Sequence, residues 1–216
     1  MRKLMLRCKP LDKLLDGGIE SSSITEIYGE AGSGKTNLCL QAARECVLNN
    51  SKKVAYIDTE GISIERLKQI CHGFDYKKIL NNILFFSPTS LREQEKTVED
   101  IIKIDNIDLI IIDTINMLYR LDAEEKTASR SLIRQITDLQ LTARKKDLYV
   151  LLTAQVYTDE NGNIKPFAVK DIEHMIKTII KLERIKKGER QATIIKHSSQ
   201  LEGKKTMFTI TTDGLK

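Results

Sequence analysis

The feature that most constrains this chain is an eight-residue segment that matches the phosphate-binding pattern G-x-x-x-x-G-K-[ST] at every fixed position. It follows a strand-like run, Ser23–Tyr28, and precedes a helical pattern from Lys35 to about Asn49. Glycines let such a loop wrap round a phosphate with its N–H groups directed inward, and the following helix offers its positive end. The segment consists of Gly29, Glu30, Ala31, Gly32, Ser33, Gly34, Lys35 and Thr36.

Two side chains of this loop have the chemistry of a nucleoside triphosphate site. Lys35 is predicted to reach the β- and γ-phosphate oxygens, and Thr36 is predicted to ligate Mg²⁺. We therefore expect ATP and Mg²⁺ as the cofactors. The alternative is a Gly-rich turn that holds no ligand.

Polar side chains end three further predicted strands, where ligands of open α/β sheets gather. Asp113 closes the apolar run Leu109–Ile112 and is predicted to hold the water shell of Mg²⁺. Glu60 follows a strand expected to neighbour the first one, and is the candidate general base for hydrolysis. Gln155 ends another apolar strand and is the candidate sensor of the γ-phosphate. Each also has a plainer interpretation. Asp113 could simply end a strand that enters a turn, and Glu60 could belong to a helix-capping turn centred on Asp58. Gln155 could be a solvent-facing amide.

Strands alternate with helical patterns through the middle of the chain, which predicts an α/β fold. We expect one domain over residues 1–216, with a mostly parallel central sheet flanked by helices. A polar loop is predicted at Tyr157–Pro166. Three later runs, at Ile179–Ile185, Ala192–His197 and Met207–Thr211, predict an antiparallel C-terminal extension of the sheet.

Composition narrows the class of protein. No apolar run approaches the length that spans a bilayer, and the N-terminus lacks the apolar core of a secretory signal, so a cytoplasmic location is expected. The four cysteines form no C-x-x-C pair, which argues against zinc and thioredoxin-type chemistry. Residues 164–216 carry 12 Lys or Arg against 6 Asp or Glu, and this basic excess suits either a polyanion-binding face or a solvated surface.

Four segments resemble the RecA family of recombinases, and most closely its archaeal RadA/RadB branch. They are the phosphate loop with its lead-in, Ile24–Thr36, the stretch Ala55–Gly61 with Glu65–Leu67, the segment Leu109–Thr114, and Thr153–Val156. The lead-in Leu11–Gly18 is also similar. The resemblance implies a RecA-like ATPase core in which Lys35, Glu60 and Gln155 act on ATP.

The departures from the family matter as much. RadA-type recombinases carry a helical DNA-binding domain before this core, and no such domain is expected here. The loop after Gln155 lacks the Gly-rich, Arg-bearing sequence of a strand-exchanging enzyme, so the chain looks most like the short paralogue of the branch. The resemblance implies an accessory protein of homologous recombination and DNA repair, with slow ATP hydrolysis and no strand exchange of its own.

The resemblance also implies two DNA-facing loops, Asn116–Arg130 and Tyr157–Lys170. Cations there would neutralise phosphates, and an aromatic ring could stack on an unpaired base. Single-stranded or branched DNA, without sequence specificity, is therefore the expected partner. The candidate contacts are Arg120, Arg130, Lys165, Phe167 and Lys170.

Other partners and functions stay open from the sequence. The expected protein partners are a RadA-type recombinase, a junction-cleaving nuclease and further copies of the chain. No membrane association is expected. Lys196 and His197 end a predicted strand. They either reach the nucleotide of a neighbouring subunit or form an exposed strand terminus, and we favour the second interpretation. A KaiC-like ATPase that acts on proteins and an ATP-switched adaptor are the alternatives, and Leu11–Gly18 suits the former equally well.

Overall fold

The structure is a computed structural model that describes residues 1–50, 52–121, 125–160, 164–166 and 172–216. Its strands are β1 (Lys3–Leu4), β2 (Ile19–Glu20), β3 (Ser23–Tyr28), β4 (Lys53–Asp58), β5 (Ile83–Phe86), β6 (Ile107–Asp113), β7 (Tyr149–Ala154), β8 (Val156–Thr158), β9 (Ile164–Pro166), β10 (Thr178–Arg184), β11 (Glu189–Lys196), β12 (Lys205–Thr211) and β13 (Gly214–Leu215). Its helices are α1 (Lys9–Leu14), α2 (Lys35–Asn50), α3 (Ile64–Ile70), α4 (Tyr76–Asn81), α5 (Leu91–Ile101), α6 (Met117–Leu121) and α7 (Glu125–Lys146), with a 3-10 turn at Glu173–Met175.

The main sheet has the strand order β13-β12-β11-β10-β3-β7-β6-β4-β5. Every residue of β3, β6 and β7 is buried, as expected of parallel strands covered on both faces. The strands from β10 across to β5 pair in parallel. This arrangement confirms the predicted mostly parallel α/β sheet.

Strands β10 to β13 form the antiparallel C-terminal extension that the sequence predicts. The extension joins the core through β10, which pairs in parallel with β3, with Thr178 opposite Thr25. It therefore lies directly beside the strand that leads into the phosphate loop.

Helices cover both faces of the sheet and enclose two apolar cores. On one face, α1 to α4 pack against residues such as Ile27, Leu109 and Leu151. On the other face, α5 and α7 pack against residues such as Ile110 and Leu152. No helix within the described ranges is long and apolar enough to cross a membrane.

One expectation about topology and two about loops are wrong. Strand β4 does not neighbour β3, because β7 and β6, both strongly apolar, take the central positions between them. The segment predicted as a polar loop after Gln155 contains residues of β8 and β9, which pair as antiparallel strands. Successive side chains along each strand point to opposite faces of this small sheet. The predicted first DNA-facing loop is largely helical, because α6 and α7 bury Leu118 and Ala128 against Leu91.

Candidate nucleotide-binding site

The phosphate loop is packed so closely that glycine is required at its start. A Cβ atom on Gly29 would lie 2.2 Å from the carbonyl oxygen of Leu182, on β10. Gly34 has a φ of +108°, in the left-handed region, and a Cβ there would lie 3.0 Å from Cδ1 of Ile210. The extension thus supports the outer side of the loop, and helix α2 begins inside the motif, at Lys35.

The ammonium group of Lys35 lies within this loop. Its Nζ donates hydrogen bonds to the carbonyl oxygens of Gly29 at 2.7 Å and Glu30 at 3.2 Å. Burial lowers the pKa of Lys35, and the carboxylates of Glu60 and Asp113 oppose that shift. Lys35 is therefore a buried cationic donor inside the loop, where it can bind phosphate oxygens.

Asp113, at the end of β6, points at the start of α2. The residue is only 2% exposed, and the hydroxyl of the nearby Thr36 lowers the pKa of its carboxyl group. Tyr56 on β4 and Thr153 on β7 donate hydrogen bonds to the same carboxylate from either side. Burial raises the pKa of Asp113, and these hydroxyl donors oppose the rise. The structure thus brings together the two residues that the sequence predicts for Mg²⁺.

The backbone after Asp113 is fixed against the end of β4. The peptide bond between Asp113 and Thr114 is cis. The hydroxyl of Thr59 donates to the carbonyl oxygen of Thr114 at 2.9 Å and accepts from its N–H at 2.8 Å. This reciprocal pair holds the two strand ends together, and Glu60 is the next residue in the chain.

Glu60 and Gln155 are in direct contact. Nε2 of Gln155 donates to Oε1 of Glu60 at 2.5 Å, and the hydroxyl of Thr114 donates to the same oxygen at 3.3 Å. The Oε1 atom of Gln155 accepts a hydrogen bond from the guanidinium of Arg120, on α6. Three residues predicted separately from the sequence therefore form one hydrogen-bonded chain.

Asn116 holds this chain in place and was not predicted as a site residue. Its side chain accepts a hydrogen bond from the N–H of Gln155 at 2.8 Å and donates to the carbonyl oxygen of Gln155 at 3.0 Å. Asn116 is fully buried. Asn116, the third residue after β6, thus joins that segment to Gln155, the first residue after β7.

Asp58 has the structural role that the sequence offered as the plainer alternative. Its carboxylate accepts hydrogen bonds from the N–H groups of Glu60, Gly61 and Ile62. The turn that it stabilises ends at Ser63, whose hydroxyl accepts from the N–H of Arg66 and caps α3. Asp58 therefore shapes the turn that carries Glu60.

Arg190 contacts the phosphate loop from the extension and was also not predicted. Its Nε donates to the carbonyl oxygen of Gly32 at 2.9 Å, and its guanidinium also donates to the carbonyl oxygens of Lys186 and Glu189. Only 8% of Arg190 is exposed, and burial lowers its pKa. A lone Arg in a strand gave no sequence signal for this contact, which spans 158 positions of the chain.

The candidate DNA contacts occupy different settings. Arg120 is on α6 beside Gln155, whereas Arg130 is exposed on the first turns of α7. Lys165, on β9, forms an ion pair with Asp159 at 2.7 Å. Phe167 and Lys170 lie outside the described residues.

Lys196 and His197 form a strand terminus. Nζ of Lys196 donates to the carbonyl oxygen of Glu173 at 2.8 Å. Nδ1 of His197 accepts from the N–H groups of Ser199 and Gln200, which shape the turn after β11, and burial lowers its pKa. These contacts agree with the structural interpretation, while an action on a neighbouring subunit's nucleotide stays a prediction.

The residues present fit a nucleoside triphosphate with Mg²⁺. The cradle round Gly29 has no room for a Cβ atom, so glycine is required at the start of the loop. The donor set combines an ammonium, a helix N-terminus, a hydroxyl and a buried carboxylate, which are groups that bind phosphate and a hard divalent cation. Lys35, Thr36 and Asp113 would hold this pair.

Comparisons with known proteins agree with this geometry. A family model described as Rad51 matches residues 2–216. Proteins named DNA repair and recombination protein RadB are similar along nearly the whole chain. The one from Methanococcoides burtonii is 46% identical, covering 99% of this chain and 97% of its own length. The one from Archaeoglobus fulgidus is 37% identical, covering 96% and 95%. A solved structure titled as a RadB recombinase has a TM-score of 0.87 at 34% identity, with 98% of each chain covered.

Proposed function

This chain belongs to the Rad51 family and has a RecA-like fold, and from that premise we propose that it is an accessory protein of DNA repair and homologous recombination that binds ATP, Mg²⁺ and DNA. The observation that carries the proposal is the convergence of Lys35, Thr36 and Asp113 at one phosphate loop. The names of the similar proteins supply the biological setting. We further propose that residues 1–216 act as one ATPase core.

The phosphate loop would hold the triphosphate through Gly29–Thr36. Backbone N–H groups at the start of α2 would donate to the phosphates, Lys35 would neutralise their charge, and Thr36 with Asp113 would hold the cation or its water shell. Bound Mg²⁺ would offset the negative charge that the terminal phosphate gains during transfer. The protein's own contribution is the position of these groups, since Asp113 and Lys35 are both buried.

Glu60 is the proposed general base of a slow ATP hydrolysis. Its carboxylate is close to Lys35 and Asp113, and Gln155 and Thr114 orient it by hydrogen bonds. A carboxylate in this place would accept the proton of the attacking water. Because Gln155 occupies one oxygen of Glu60, the amide must be in place for the base to be oriented.

The proposed DNA-binding surface adjoins this site through Arg120. The guanidinium of Arg120 is bound to Gln155, so a change at Gln155 on nucleotide binding would alter which groups Arg120 can contact. Arg130 and Lys165, with Phe167 and Lys170, complete the candidate surface. Contacts of this kind neutralise phosphates and carry no sequence specificity, which suits single-stranded or branched DNA.

Strand exchange is not part of the proposal, because the segment after Gln155 lacks the Gly-rich, Arg-bearing sequence of the strand-exchanging members. A RadA-type recombinase, a junction-cleaving nuclease and further copies of the chain are the proposed protein partners. The proposed location is the cytoplasm.

Fluorescence anisotropy with labelled single-stranded and branched DNA tests this function. Binding is measured with and without ATP and Mg²⁺ across a salt series. We expect affinity that depends on nucleotide and falls steeply as salt rises, since phosphate contacts release counterions. No binding at low salt in either condition would contradict the DNA-binding function and favour an ATPase or adaptor that acts on proteins.

A further inference from the structure

Two buried hydroxyl groups hold the carboxylate of Asp113 from opposite sides. The hydroxyl of Tyr56 donates to Oδ2 at 2.9 Å, and the hydroxyl of Thr153 donates to Oδ1. Tyr56 and Thr153 have no exposed surface, and Asp113 is 2% exposed. Their strands β4 and β7 are the two neighbours of β6, so each donor reaches Asp113 from an adjacent strand.

We propose that Tyr56 and Thr153 are positioning residues that fix the carboxylate of Asp113 toward Thr36 and thereby set the affinity of this site for Mg²⁺. The inference rests on the proposed nucleotide function. Neither residue would touch the cation or the nucleotide, since both act through Asp113.

The sheet geometry explains why these two side chains reach the carboxylate. Asp58 is level with Asp113 in the β4–β6 register, and Tyr56 is level with Ile111. Tyr56 thus projects from the same face of the sheet as Asp113, level with a position two residues before it. The length of the tyrosine side chain lets its hydroxyl reach the carboxylate of Asp113. The ring contacts Phe85, with centroids 5.6 Å apart, and itself belongs to the apolar core on that face of the sheet, so its direction is fixed by packing.

The energetic argument concerns the direction of the carboxylate. A buried hydroxyl without a hydrogen-bond partner is costly, so Tyr56 and Thr153 favour the one orientation of Asp113 that satisfies both. That orientation leaves each carboxylate oxygen further lone pairs for Thr36 and a cation's water shell. Residues that orient a metal ligand in this way affect metal affinity by about 10-fold to 100-fold when they are removed.

The variants that test this remove one hydroxyl with little change of shape. They are Tyr56→Phe and Thr153→Val, with Thr153→Ser as the conservative variant that keeps the hydroxyl. Tyr149→Phe is the matched control, because Tyr149 is also a buried tyrosine of the sheet, at the opposite end of β7 from Thr153. Binding of a fluorescent mant-ATP probe is measured in EDTA and across a free Mg²⁺ series.

We expect the Mg²⁺ concentration for half-maximal stabilisation of probe binding to rise about 10-fold in Tyr56→Phe and Thr153→Val. Probe affinity in EDTA should stay within twofold of wild type, and Thr153→Ser and Tyr149→Phe should match wild type. Unchanged Mg²⁺ dependence in both hydroxyl-deleting variants would overturn the inference. An equal loss with and without Mg²⁺ would also overturn it, because it indicates damage to the fold. Failure of wild type to bind the probe at any Mg²⁺ concentration would instead refute the nucleotide site itself.

Discussion

Nε2 of Gln155 lies 2.5 Å from Oε1 of Glu60, and the two side chains are hydrogen-bonded. Gln155 directly follows β7, and Glu60 lies two positions after the end of β4. These strands are separated in the sheet by β6. The contact therefore crosses the end of the strand that carries Asp113. It connects the candidate base to Arg120 and makes hydrolysis and DNA contact testable together.

The carboxylate of Glu60 should be required for hydrolysis and dispensable for binding. We expect Glu60→Gln to lower the single-turnover rate of ATP hydrolysis by about 100-fold or more, because the amide cannot accept the proton of water. ATP affinity should change by less than threefold. Glu65→Gln, at an exposed position on the nearby helix α3, is the control and should hydrolyse ATP at the wild-type rate. Equal rates in wild type and Glu60→Gln would assign the base elsewhere.

Gln155 should couple nucleotide to DNA. Gln155→Ala removes the hydrogen bonds to both Glu60 and Arg120. We expect the ratio of DNA affinities with and without ATP to fall toward one, while ATP binding is retained. Gln191→Ala serves as control, since Gln191 bonds to Glu183 within the extension. A wild-type ratio in Gln155→Ala, measured by anisotropy, would show that coupling takes another route.

Arg190 should support the phosphate loop. In Arg190→Ala the carbonyl oxygen of Gly32 loses its buried donor, and a buried hydrogen bond to a charged group contributes roughly 1.5–3 kcal/mol. We expect ATP affinity to fall about 10-fold, measured by calorimetry on protein shown to be folded. Arg184→Ala, an exposed position at the end of β10, should leave the affinity unchanged. Equal affinities in the two variants would restrict Arg190 to a role in the extension.

Glu26 should make the fold less stable as pH rises. It is fully buried on β3, neither oxygen has a hydrogen-bond partner among the described residues, and burial, with a smaller contribution from Glu173, raises its pKa to about 8. The folded state therefore keeps a proton that the unfolded chain releases near pH 4.5. The contribution of this proton to the free energy of unfolding is complete below about pH 4.5. It is lost at roughly 1.4 kcal/mol per pH unit as the pH rises to about 8.

The variant that isolates this effect is Glu26→Gln, which stays neutral at every pH. Urea unfolding at pH 5, 7 and 9 should show the difference between variant and wild type growing in favour of Glu26→Gln across the series. Glu99→Gln, at an exposed position on α5, should track wild type. A constant difference between Glu26→Gln and wild type would contradict the buried proton.

The sequence predicted the parts of the site that are local in the chain. The phosphate loop is one contiguous motif, and Asp113 was evident as a carboxylate at the end of an apolar strand. Tyr56 and Arg190 were not predicted, because each acts on a partner far away, at separations of 57 and 158 positions. In a strand pattern, a buried tyrosine or a single arginine gives no indication of what it contacts.

The fold followed the same rule. Strand and helix positions were predicted closely because hydrophobic periodicity is local, as in the helix predicted from Lys35 to about Asn49 and found at Lys35–Asn50. The order of the strands in the sheet was not predicted correctly, because β4 was expected beside β3 and lies three positions away from it. Short elements such as β8 and β9 depend on pairing with each other, which the polar composition of that segment concealed.

The most direct test of the account is isothermal titration calorimetry of ATP into wild type and Lys35→Ala in the presence of Mg²⁺. Lys78→Ala, on α4, is the control for loss of a lysine outside the site. The account predicts one ATP bound per wild-type and Lys78→Ala chain, and an affinity at least about 100-fold weaker in Lys35→Ala, equivalent to about 2.7 kcal/mol. No binding to wild type, or equal binding to Lys35→Ala, would contradict the claim that this phosphate loop is a nucleotide site.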